Sequence, residues 1–411
     1  MLNLIQHLSL GRCSRHNLMR SRCSNDPDDI GTDQVPNDKR AQHPFDRLRS
    51  GAALLPERRR QGTEDETISL TVPDIRIPVP AGRAEPDPLV TSLARELRLN
   101  RILAPLNGTP AAEQALPYAG LIARWVDGEI TLFHSLQPMH PARVGRPGHV
   151  PYPDAHHDRG SHLATSYLEE VAARLRPHGV SARWSVATGA TAHLISTRSV
   201  AGGFGLIAMA GQPRPRVVRR VQPSVMDELW RISPVPLLLI NSGRVAVGDG
   251  NVQEPGVIFV PFDGSVTTRA ALPMASVFAR AADARLVLLI DQPETKSKNG
   301  DGGAADVPEP PDADVAEEVA AELREDGIEA AVEAVEGGEI AVARRQIQER
   351  GSWVVAGSRM RSGVARMVFG SRADNFLRQC RGPLLVVPDP DVAAKRAKKA
   401  RRDALVAPEP A

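Results

Sequence analysis

Residues 357–371 hold the densest set of groups that could bind an anion. Gly357-Ser358-Arg359-Met360-Arg361-Ser362-Gly363 leaves the end of an aliphatic run, GSWVVAGS, and nine residues separate Met360 from Gly370-Ser371, just ahead of RADNFLRQC. Ligands of open α/β sheets bind outside the carboxyl ends of strands, where such a loop would lie. Gly357 suits a tight exit because glycine alone takes positive φ cheaply. Gly370 would let backbone amides approach a phosphate, and Ser371 would add a hydroxyl where the next helix begins. Arg359 and Arg361 would screen phosphate charge. The plainer alternative makes Gly370-Ser371 a helix cap and Gly357 a turn. The loop has no lysine-bearing phosphate motif, so P-loop hydrolysis is not supported.

Other chemistries find less. Residues 256–389 contain no histidine, so no Ser/His/Asp or Cys/His set can be assembled there. Six histidines fall between His134 and His162, but their irregular spacing without companion cysteines reads as a solvated loop, not a metal site. Cys13, Cys23 and Cys380 are too scattered for a disulfide framework or a zinc site, and Cys380 reads as a structural thiol on the last helix of its repeat. No catalytic residue is assigned.

The elements that would position these residues occur twice. RILAPLNGT (101–109) and GVIFVPFDGS (256–265) each open a strand and turn. Each runs into an Ala-rich helix with Ala-Leu-Pro at the same place, then a strand (Glu129–Ser135, Ala284–Asp291) and an insertion near 138–160 or 292–312. An amphipathic helix follows, with Leu163, Tyr167, Val171 and Leu175 in one copy and Val315, Val319 and Leu323 in the other. A strand, a helix and a buried strand come next, and a proline-led strand ends each copy, PVPLLLIN or GPLLVVP. Strands alternating with helices at this spacing predict right-handed crossovers: two α/β domains, each a five-stranded, mainly parallel sheet covered on both faces. An apolar content of 42% with only 4% aromatics, in 411 residues, fits such aliphatic sheets.

The predicted organisation is a disordered extension (1–98) containing a short helix near 88–97, a first domain (99–243), a linker (244–255), a second domain (256–389) and a basic disordered tail (390–411). Residues 68–82 are a candidate edge strand, weakened by three prolines. The first 25 residues lack acids and resemble a transit peptide faintly, a disordered extension being the plainer reading. The net charge of +2 conceals 14 basic against 9 acidic residues in 99–243 and 15 against 21 in 256–389. Near-neutrality argues against a strongly basic nucleic-acid binder, and nucleic acid is not expected as a partner; KRAKKARR (395–402) reads as a solvated tail. No apolar run is long enough to span a membrane, and a cytoplasmic location is expected.

The repeated order, with PFDGS after the first strand and GSRMRSGVARMVFGS after the fourth, resembles the universal stress protein family. The resemblance covers about 99–243 and 256–389, and implies flavodoxin-like or Rossmann-like domains, ATP as ligand with Mg²⁺ on its phosphates, and pairing through last strands. That pairing would set Pro383–Val387 against Pro236–Ile240 as an intrachain pseudo-dimer, with a homodimer also open. Matching the family signature assigns nucleotide contacts to Phe262, Asp263, Gly264 and Ser265, with Asp263 near ribose and adenine. It assigns adenine contacts to the strand end at Ile290 and Asp291, and phosphate contacts to Gly357, Ser358, Arg359, Arg361, Ser362, Gly363, Gly370 and Ser371. Met360 departs from the signature's second glycine, and its side chain would crowd the loop. The first repeat has Asn107 for the acid, Gly211-Gln212-Pro213-Arg214 for the loop, and Ser224-Val225 after Pro223 for Gly-Ser, which implies a decayed site. The expected function is a nucleotide-responsive stress or regulatory module. The alternatives are an interaction protein of the same fold without nucleotide, or a weak ATP hydrolase or adenylating enzyme.

Overall fold

The computed structural model describes residues 75–78, 86–137, 153–211, 224–243, 252, 254–292, 313–336, 345, 349, 351–358, 380 and 382–406. The first repeat supplies strands β1 (Arg101–Pro105), β2 (Glu129–Leu136), β3 (Ser181–Thr188), β4 (Leu206–Gly211) and β5 (Leu237–Asn241). The second supplies β6 (Val257–Pro261), β7 (Arg285–Gln292), β8 (Ala330–Glu336), β9 (Trp353–Ser358) and β10 (Leu384–Pro388). All ten join one sheet in the order β3-β2-β1-β4-β5-β10-β9-β6-β7-β8. Each half therefore runs 3-2-1-4-5, the Rossmann arrangement of the two that the resemblance allowed, and its order reverses between the first and fourth strands.

Every pairing within a half is parallel, and β5 meets β10 antiparallel, with Leu237, Leu238 and Leu239 opposite Val386, Leu385 and Leu384. The expected pseudo-dimer is thus a continuous sheet. It covers two strand edges that would otherwise present unpaired backbone. Central strands are aliphatic and buried, as parallel strands covered on both faces must be, whereas the edge strand β3 leaves Trp184 37% exposed.

Helices α1 (Pro88–Glu96), α2 (Pro110–Glu113), α3 (Leu116–Trp125), α4 (Pro153–Leu175), α5 (Thr191–Ala201) and α6 (Val225–Ile232) accompany the first repeat. The second has α7 (Val266–Arg269), α8 (Leu272–Ala282), α9 (Ala313–Glu325) and α10 (Pro390–Val406). On one sheet face α3 meets α8, where Trp125 and Phe278 pack on Trp353 with ring centroids 5.4 and 5.9 Å away, and Tyr118 lies edge-on at 6.0 Å. Trp125 Nε1 donates to Glu254 at 3.3 Å. On this face the described seam between the repeats is apolar and aromatic.

Three expectations need correction. Residues 1–98 are not disordered throughout: Ile75 and Ile77 are buried, Arg124 donates to the Pro78 carbonyl, and α1, capped by Asp87, packs on α8. Residues 75–78 do so without entering the sheet. Nor is the tail disordered over residues 390–406, which form the 17-residue helix α10 capped by Asp389. Lys395, Lys398, Lys399, Arg401 and Arg402 are exposed, whereas Arg396 is half-buried and Ala400 is buried. Finally, α4 takes in residues 153–160 of the predicted insertion, and Leu163 is 66% exposed while Leu168, Val171, Ala172 and Leu175 are buried. A strict spacing of four drifts about 40° per step around a helix, which carries Leu163 off the core face.

Candidate functional site

The loop after β6 is built around one carboxylate oxygen. Asp263 Oδ1 accepts from the Ser265 amide (3.1 Å), Ser265 Oγ (2.6 Å) and Thr268 Oγ1 (2.9 Å). An aspartate bonding the backbone two residues on makes an Asx turn. Gly264 takes φ +69°, where a Cβ would be strained, and Ser265 then caps α7 by accepting from the Thr268 amide. Arg269 Nε donates back to the Gly264 carbonyl at 3.2 Å. The sequence Asp-Gly-Ser thus holds its acid at the carboxyl end of β6.

Neighbouring strands bring other predicted residues to the same sheet edge. β6 lies between β7 and β9. Phe262, buried, donates its amide to Leu289, one residue before buried Ile290, and Asp291 follows in β7. On the other side, β9 ends at Gly357 and Ser358, paired with Val387 and Pro388 of β10. Asp263 and Gly357-Ser358 therefore flank the point where strand order reverses. Gly357 departs from expectation in one respect: it has ordinary strand conformation, not positive φ. A Cβ there would collide with the Thr267 carbonyl and lie 3.1 Å from Thr268 Cα, so the glycine serves the approach of α7 to β9. Arg359, Met360, Arg361, Ser362, Gly363, Gly370 and Ser371 lie outside the described residues.

Sequence reasoning missed two residues beside this site. Thr267 Oγ1 donates to Asp389 Oδ2 at 2.6 Å, and Thr268 completes the Asp263 turn. The available signal was the contrast between repeats, since Ala111 and Ala112 stand where the second has Thr267 and Thr268.

The first repeat keeps the turn and loses the charge. Asn107 Oδ1 accepts from the Thr109 amide and hydroxyl at 3.1 and 2.7 Å, Gly108 takes φ +78°, and Thr109 caps α2. Beside it Glu113, only 6% exposed, accepts from Tyr167 Oη (2.9 Å) and Arg174 Nη2 (2.6 Å). Burial, and then Glu113, pushes the Tyr167 phenol well above its usual range. The corresponding positions in the second repeat are Arg269 and Glu322, with the charges exchanged. The alignment is anchored by Gly179 and Gly327, at φ +71° and +77°. This cluster was not foreseen, because Glu113 and Arg174 are 61 residues apart. The remaining elements of the first repeat's loop, Gln212 to Pro223, lie outside the described residues, and Ser224 is the N-cap of α6 in a capping box with Asp227.

Cys380 is buried against the sheet, and burial pushes its thiol up to about 12. The described residues include no His/Cys/Asp/Glu group able to hold a metal ion, and none of their helices is long and apolar enough to cross a membrane.

The universal stress protein family matches residues 98–241 and 256–388. Among solved structures, a universal stress protein from Archaeoglobus fulgidus is 19% identical, with a match covering 72% of this chain and 98% of that one at a TM-score of 0.56. A putative universal stress protein from Pseudomonas aeruginosa, also 19% identical, covers 74% and 99% at 0.47. A universal stress protein solved in complex with cAMP is 15% identical and covers 34% and 96% at 0.28. Comparison with curated proteins finds no match.

Proposed function

Since the chain belongs to the universal stress protein family, as a tandem of two family domains, we propose that its second repeat binds ATP and that the protein acts as a nucleotide-responsive module in a stress response. The observation that carries this reading is the convergence of Asp263 and Gly357-Ser358 on the two sides of the strand-order reversal. The chemistry of the site fits such a ligand. Asp263 would accept hydrogen bonds from ribose hydroxyls, and the Phe262 and Ile290 strand ends would line the adenine. Gly357, with no room for a Cβ, leaves the phosphate side to the loop beginning at Ser358. In this reading Arg359, Arg361, Ser362, Gly363, Gly370 and Ser371 receive the phosphates, and Mg²⁺ would arrive with them and offset their charge.

The first repeat is assigned a packing role in the same proposal. Its turn carries no acid, and the buried Glu113–Arg174–Tyr167 cluster occupies the ground beside it. Titration calorimetry of the full chain with Mg-ATP tests both assignments. One site per chain is expected, weakened at least tenfold by Asp263→Asn or Gly370→Val and left as it was by Asn107→Ala. Two equal sites, or a site indifferent to Asp263 and Gly370, would reject the assignment.

A further inference from the structure

We propose that α10 is a reporter of nucleotide occupancy, coupled to the second repeat's site through the hydrogen bond between Thr267 and Asp389. The inference rests on the nucleotide reading above and adds how binding would be transmitted. Asp389 faces two ways. Its Oδ2 accepts from Thr267 Oγ1 at 2.6 Å, and its Oδ1 accepts from the amides of Asp391 and Val392 at 3.0 and 3.3 Å, capping α10. An N-cap of this kind satisfies helix donors that would otherwise lack a partner, so its position sets where the helix starts.

From that start α10 reaches away from its own repeat. It packs on α5 of the first repeat. Arg396, mostly buried, donates to the Ser233 carbonyl at the carboxyl end of α6 (2.9 Å), where a cation also meets the helix dipole favourably. Ala400 is buried in the contact, and Asp403 lies 3.9 Å from His193.

The other side of Thr267 belongs to the site. Its carbonyl fills the space that a Cβ on Gly357 would need, and the next residue, Thr268, bonds Asp263. The four-residue helix α7 is therefore tied to the candidate ribose-binding carboxylate, to the β9 end and to the cap of α10. The first repeat has none of this: Ala111 and Ala112 replace the threonines, and Ser242 follows β5 where Asp389 follows β10. The link is confined to the repeat that keeps the acid. A ligand that fixes Asp263 and Gly357 holds α7 in place, keeps the cap formed and favours the docked α10. Because such coupling is reciprocal, undocking α10 must weaken nucleotide binding by the same factor.

The test uses the full chain. Amide exchange across 393–403 is measured with and without Mg-ATP, and ATP affinity is measured for Thr267→Val, Thr267→Ser and Ala400→Glu. Ala400→Glu lies in the contact with the first repeat and outside the proposed site, and circular dichroism checks each variant's fold. ATP is expected to slow exchange in α10. Thr267→Val and Ala400→Glu are each expected to weaken ATP binding about fivefold or more, the lower end of measured couplings, while Thr267→Ser retains it. ATP binding to the unaltered chain with unchanged α10 exchange, or with equal affinity in the valine and glutamate variants, would overturn the coupling alone. No ATP binding to the unaltered chain at millimolar concentration would overturn the nucleotide reading and the coupling together.

Discussion

The Thr267 carbonyl occupies the space beside Gly357 that any other residue would fill with its Cβ. Two backbones touch there, one from α7 and one from β9, so the contact cannot relax by swinging a flexible side chain. Gly357→Ala should cost about 1–3 kcal/mol through overpacking, and should push α7 off the sheet edge. Urea denaturation checks the first effect. The second should appear as a further loss of ATP affinity, measured at a temperature where the variant is fully folded.

The repeats themselves were legible because each needs the same aliphatic strands at the same intervals. The paired turns at Asn107 and Asp263 could be read because one side chain and one glycine determine them locally. What depended on distant partners could not be read. Nothing in the neighbourhood of Glu113 announces Arg174, and the charge run of α10 hides the one-turn spacing that points Arg396 and Ala400 inward. Gly357 was recognised as necessary for the wrong reason: its backbone is ordinary and its surroundings are not.

Trp353 joins the halves on one face of the sheet, touching Trp125, Tyr118 and Phe278. Trp353→Ala should destabilise the protein by about 3–5 kcal/mol, as large aromatic truncations in cores do. Thermal unfolding would show whether the two repeats still melt together. A single transition is expected in the unaltered chain, and a split or broadened one in the variant.

Alkali should destabilise the fold through two buried acids. Burial raises the Cys380 thiol from 9.0 to about 12 and the Tyr118 phenol from 10.0 to about 12. Both stay neutral in the native state while the unfolded chain deprotonates near the ordinary values. Their contribution is complete below pH 9 and is lost as pH rises toward 12. Urea midpoints at pH 8, 9, 10 and 11 should fall, and Cys380→Ala should delay the onset. A flat profile would contradict the burial of these groups.

Mass spectrometry of small molecules released from freshly purified full-length protein tests the central claim most directly. The account predicts an adenine nucleotide, at up to one per chain, that disappears in Asp263→Asn. That substitution removes the charge and leaves an Oδ1 that can keep the turn, as Asn107 does in the first repeat. Absence of any adenine nucleotide, with no thermal shift on adding millimolar Mg-ATP, would contradict it.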